Sequence, residues 1–208
     1  MGASKYSPKA LSDAVRNLES LLIAPEETRH VPRILAECGV RFVIVEKLPK
    51  ADIDGVCFWL GDSPVIGMST RRDKIDNFWF VLRHEIEHVL QGDGKKEEII
   101  DADLEGKNAS TDPSLPKEER VANAAAGNFC APAEKLDMFM KRKHPFYYEK
   151  DVIAFARIHQ RHPGLVVGQM QKRMDRYDYL ARWLVKVRHF VLPGARVDGW
   201  GQVAPVSL

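Results

Sequence analysis

The sequence predicts an α+β fold: a small three-stranded, largely antiparallel sheet packed on helices, with additional helices toward the C-terminus. Three observations predict it. Apolar residues recur at helical spacing through 8–22 and 72–91. Between these, residues 40–45, 55–60 and 64–69 alternate and are rich in β-branched side chains. From residue 117 onward the helical pattern returns and runs to about 188. A chain of 208 residues, 45% hydrophobic and 29% charged, suits one globular domain with a small appendage.

Taken in order, Leu11, Val15, Leu18 and Leu22 form the apolar stripe of a first helix, with Ser7 and Pro8 as cap and first position. A second helix is expected from Pro25 to Glu37, stopped by Gly39. Strands follow at 40–45, 55–60 and 64–69, the last two joined by a hairpin turn at Gly61-Asp62-Ser63. A helix from 72–75 to Gln91 ends at Gly92-Asp93-Gly94. Residues 92–116 are polar and broken by Gly and Pro, with one apolar island at Ile99-Ile100, and are expected to form a mobile, lid-like connection. Residues 117–130 read as an alanine-rich helix whose small side chains at 122 and 124–127 admit a close neighbour. Helices are expected at 133–142, 149–160 and 163–188, the last broken near Arg173. A strand is expected at Phe190-Val191-Leu192. The domain division is 1–24 as an N-terminal docking helix, 25–140 as the main domain, and 141–208 as a helical extension and irregular tail packed on it.

The net charge of +2 gives no general electrostatic case for nucleic acid, and no direct nucleic-acid binding is expected, although Lys141-Arg142-Lys143 and 173–188 are local basic stretches. No apolar run approaches a bilayer span and no signal pattern opens the chain, so a cytoplasmic protein without membrane contact is expected. Cys38, Cys57 and Cys130 are scattered and odd in number, which indicates neither a disulfide framework nor a cysteine zinc site.

Chemistry concentrates in His84-Glu85-Ile86-Glu87-His88. On a helix, residues four apart share one face, so His84 and His88 can both point at one metal ion. Glu85, beside them, is placed to take a proton from a water attacking a carbonyl, as in zinc hydrolases with this spacing. Winding the helix puts Ile75, Phe78, Trp79, Leu82, Ile86, Val89 and Leu90 on a core arc and Arg83, Glu87 and Gln91 on a solvent arc. His84, Glu85 and His88 fall between, at a cleft wall.

A catalytic zinc takes three protein ligands, so a third must lie downstream. Glu119, opening the alanine-rich helix, is the best candidate, with Asn123 one turn later able to orient a histidine. Glu118 competes, since sequence does not fix the helix rotation; Asp101, Asp103, His144 and His159 are other donors. Cys57 could also approach the metal, although a buried strand thiol is the ordinary reading. Donors to a developing oxyanion are sought among His144, Tyr147, Tyr148 and His159.

His84, Glu85 and His88, followed by Glu119, Ala122, Asn123, Ala126 and Pro132, resemble the ImmA/IrrE metallopeptidase family. The resemblance covers roughly residues 25–140. It implies a zincin-like core, a Zn2+ cofactor, Glu119 as third ligand, and regulatory cleavage of a protein partner such as a transcriptional repressor or antitoxin. The alternative is a binding module that keeps the fold without cleaving. Residues 162–171 resemble a segment of members fused behind a helix-turn-helix, but the roughly 25 residues before the resemblance show no such motif. The family usually has glycine where Glu87 stands and a bulky aromatic where Ala125 stands; neither position is a proposed ligand.

Overall fold

Ser7 opens the first helix by accepting the Ala10 amide on its hydroxyl at 3.3 Å, with Pro8 in the first turn, where no amide donor is needed. The computed structural model describes residues 5–45, 52–69, 71–95, 98–102 and 115–197. Helix α1 (Pro8–Ser20) buries Leu11, Ala14 and Leu18. The expected second helix is split: Pro25–His30 is a 3₁₀ helix and α2 covers only Val31–Glu37. Pro32 explains this, because a residue without an amide hydrogen is tolerated only in a first turn, so the regular helix starts just before it.

The sheet is larger and less antiparallel than the sequence predicted. Strands β1 (Arg41–Val45), β2 (Ile53–Leu60), β3 (Ser63–Ser69), β4 (Ile99–Ala102) and β5 (Arg196–Val197) lie in the order β4-β2-β3-β1-β5. The hairpin is as expected, with Leu60 opposite Ser63 and Gly61 at φ +59, the left-handed start a two-residue turn can use. β1, however, runs parallel to β3, and β5 parallel to β1, so the sheet is mixed. The continuous burial from Pro64 to Met68 marks β3 as a central strand covered on both faces. Alternation revealed strands but not their partners.

β4 corrects the expectation of an unstructured connection after Gly92. Its Ile99 and Ile100 sit opposite Cys57 and Val56 at the end of the sheet, so the apolar island is an edge strand. Residues 103–114 of that stretch, including Asp103, lie outside the described residues.

Helix α3 (Ile75–Gln91) ends where Gly92 turns left-handed at φ +78. It is followed by α4 (Lys117–Cys130), α5 (Ala133–Lys143), α6 (Glu149–Ile158) and α7 (Pro163–Met174). The helix expected to reach residue 188 stops at Met174 because Asp175 adopts φ +50, and turns replace it. The strand expected at 190–192 is instead α8 (Arg188–Val191) and a 3₁₀ turn. Asp73 Oδ1 accepts the Val187 and Arg188 amides at 2.9 and 2.8 Å, which favours helix there.

Trp79, Leu82 and Ile86 of α3 are fully buried in a core shared with α1, α2 and the sheet. A second apolar cluster joins Leu136, Phe139, Val152, Phe155, Val166 and Met170 of α5, α6 and α7. α7 returns to α3 at Gly168, where an added Cβ would lie 2.5 Å from Asp76 Oδ2. No helix among the described residues is long and apolar enough to cross a membrane.

Candidate metal centre

α4 packs against α3 more extensively than does any other helix, with Ala122 and Ala126 fully buried. Ala124 is exposed and Ala125 half-buried, so only part of the small-residue stretch makes the contact. The close approach carries Glu119 to the histidines. Its Oε2 lies 3.3 Å from His84 Nε2 and its Oε1 3.3 Å from His88 Nε2, while the two Nε2 atoms are 3.0 Å apart. One ligand atom from each of the three residues falls within 4.8 Å of the others. The helix rotation that sequence left open is resolved: Glu118 is exposed and Glu119 is turned inward.

Electrostatics explain why this cluster suits a cation. Burial pushes the Glu119 carboxyl up, but hydrogen bonds and charge from His84 and His88 outweigh it and hold it well below the usual carboxylate range. Two imidazole nitrogens cannot face each other at 3.0 Å with both lone pairs directed inward unless a proton or metal ion is shared between them. The donor set, two imidazole nitrogens and one carboxylate, is that of a zinc hydrolase.

Asp93 supports the set from behind, and sequence reasoning missed it. Its Oδ2 lies 3.0 Å from His88 Nδ1, so the Nδ1–H donates outward and leaves the Nε2 lone pair facing Glu119. The Asp93 carbonyl in turn accepts the Trp59 indole N–H at 2.7 Å, tying the turn after α3 to β2. The usable signal was a carboxylate just past the helix-ending Gly92. Asn123, the orienting residue expected from sequence, is buried on α4 one turn beyond Glu119.

His84, Glu85 and His88 are all 0% exposed, so they sit within the packed interior rather than at an open cleft wall. Arg83 and Glu87, expected in solvent, are half-buried and joined at 2.7 Å. Gly55 of β2 makes room for Glu85: a Cβ there would stand 2.0 Å from Glu85 Oε1. Cys57, on the same strand, is buried with its Sγ 3.9 Å from the Asp93 carbonyl and is not one of the clustered donors.

The expected oxyanion donors are elsewhere. His144, Tyr147 and Tyr148 line a separate cleft with Arg173 and Arg176, and His159 packs its ring 4.4 Å from that of Phe155. None of them contacts His84, His88 or Glu119. α5 carries the chain away to the second apolar cluster, which is why proximity in sequence to α4 did not become proximity in space.

No curated protein compared with the chain matches it. The model of the IrrE N-terminal-like domain matches residues 39–162, a span that holds β1–β4, α3, α4 and all three clustered donors, and the chain therefore belongs to the Peptidase_M78 family.

Proposed function

We propose that this metallopeptidase-family chain is a zinc-dependent regulatory endopeptidase that cleaves one protein partner, such as a transcriptional repressor or an antitoxin. The convergence of His84, His88 and Glu119 with Glu85 in the adjacent position carries the reading. His84 and His88 through Nε2 and Glu119 through its carboxylate would hold the metal. Zinc in such a site supplies a Lewis acid that polarises the scissile carbonyl and acidifies water. Glu85 takes the proton of the attacking water and returns it to the leaving amine. Asp93 keeps His88 in the tautomer that presents Nε2, and Asn123 would serve His84 in the same way.

A substrate strand was expected to add to 55–60 or 64–69, but those edges are occupied: β2 lies between β4 and β3, and β3 between β2 and β1. The outer edge of β4 at Ile99–Ala102 takes that role in our reading, since β4 is terminal in the sheet.

The complete burial of His84, Glu85 and His88 favours a second reading, a regulatory binding module that keeps the fold and does not cleave. Glu85→Gln separates the two. On the first reading the variant retains zinc and loses cleavage of the partner together with the biological effect. If zinc and the biological effect both persist, the binding reading holds.

A further inference from the structure

The proposed metal chemistry leaves unused a cleft of about 530 Å3 between α5, the 144–148 turn and the end of α7. His144, Phe146, Tyr147, Tyr148, Arg173 and Arg176 line it. The Tyr179 hydroxyl donates to the Tyr147 carbonyl at 2.8 Å, which ties the turn to the chain beyond α7. The two basic stretches singled out in the sequence, 141–143 and 173–188, thereby meet at one place.

Phe146 and Tyr148 are 67% and 59% exposed, unusual for neighbouring large aromatic side chains. Their rings are within 21° of parallel and their centroids are 6.5 Å apart. That separation is close to twice the ~3.4 Å rise per base of a nucleic-acid strand, so a planar base matches the gap.

The charge around the cleft is also distinctive. Residues 133–188 carry thirteen Lys and Arg against six Asp and Glu, whereas the rest of the chain carries eighteen against twenty-three. The whole-chain value of +2 hides this division. Lys141 and Arg142 form no ion pair among the described residues. Arg173 and Arg176 pair with Asp137 at 2.8 Å and Asp178 at 3.3 Å, but both acids are largely exposed, and such pairs are weak enough for a phosphate to displace.

We propose that this cleft binds single-stranded nucleic acid, with a base between Phe146 and Tyr148 and the phosphates on Arg173, Arg176 and the 141–143 stretch. Exposed aromatic rings beside a cationic groove are how single strands are held with little sequence preference. A duplex keeps its bases stacked and cannot offer one to the ring pair. The site is independent of the metal centre.

The test is fluorescence anisotropy of a labelled oligothymidylate of about 12 nucleotides with the full chain, against a duplex of equal length, across a salt series. The single strand is expected to bind more tightly than the duplex and to weaken with salt. Replacing both rings, Phe146→Ala with Tyr148→Ala, should weaken binding by at least about fivefold, while Tyr148→Phe keeps it. Arg173→Gln with Arg176→Gln should lower the salt slope by about 1.4. Unchanged circular dichroism and metal content show that each variant is folded. Absence of binding at low salt, equal binding of the duplex, or binding that survives loss of both rings overturns the proposal. Displacement by polyglutamate at equal charge, combined with insensitivity to the ring changes, would assign the cleft to an acidic protein segment instead.

Discussion

Removing the Asp93 carboxylate while leaving its backbone in place isolates the support behind His88. In Asp93→Ala the His88 Nδ1–H loses an acceptor at 3.0 Å, but the residue-93 carbonyl can still accept the Trp59 indole, so the turn should hold. A hydrogen bond to a charged acceptor contributes about 1.5–3 kcal/mol net. The Asp93 side chain is 21% exposed, so water replaces part of that and the lower end applies. Loss of a group orienting a metal-bound histidine weakens metal affinity by about tenfold to a hundredfold, or roughly 1.4–2.7 kcal/mol, which overlaps the first figure. The assay is zinc competition against a chelator of known affinity at fixed pH. Asp93→Asn, whose amide oxygen can still accept Nδ1–H, should lose clearly less than Asp93→Ala. An alanine variant within about twofold of the wild type, or an asparagine variant as impaired as alanine, would refute the reasoning, because orientation is expected to matter tenfold or more.

Other outcomes follow from the packing. Gly55→Ala drives a methyl into the Glu85 carboxylate and Val81, so it should destabilise by about 1–3 kcal/mol and displace the proposed base. Metal content should survive while proteolysis of the partner falls by roughly a hundredfold; wild-type turnover would exclude that placement of Glu85. Gly168→Ala meets Asp76 at 2.5 Å and should lower the melting temperature by a comparable penalty without touching the metal, read by thermal denaturation and zinc analysis. Burial pushes the Asp76 carboxyl up to about 6, despite amide hydrogen bonds from Asn77 and from Asp76 itself and the charges of Lys74 and Arg72. Because its native value exceeds its unfolded value of 3.8, the native state holds the extra proton between those pH values, and stability falls as pH rises through the window. The full difference is roughly 3 kcal/mol. Asp76→Asn should therefore melt higher than wild type at neutral pH and show little advantage near pH 4; equal melting at both would contradict the shift.

The elements bearing the metal site were legible because each follows from local pattern. His84 and His88 share a helix face by spacing alone, and the small side chains at Ala122 and Ala126 foretold the contact that brings Glu119 inward. Glu119 against Glu118 was not decidable, since a helix's rotation depends on what it packs upon. Sheet topology was illegible for a similar reason: β1 and β3 alternate alike whether paired parallel or antiparallel, and β4 has too few residues to show a period. Asp93 escaped notice because its partner, His88, is reached only through the left-handed turn at Gly92. The 163–188 stretch kept a helical composition past Met174, yet Asp175 turns left-handed and Gln171 donates its side-chain amide to the Tyr179 carbonyl at 2.7 Å, a tertiary choice that no periodicity reports.

The central claim is that His84, His88 and Glu119 hold one metal ion between α3 and α4. Elemental analysis of the purified chain beside His88→Ala, with circular dichroism on both, tests it most directly. Zinc near one equivalent in the wild type and largely absent from a folded His88→Ala is the result this account predicts. Equal zinc in the two proteins would contradict it.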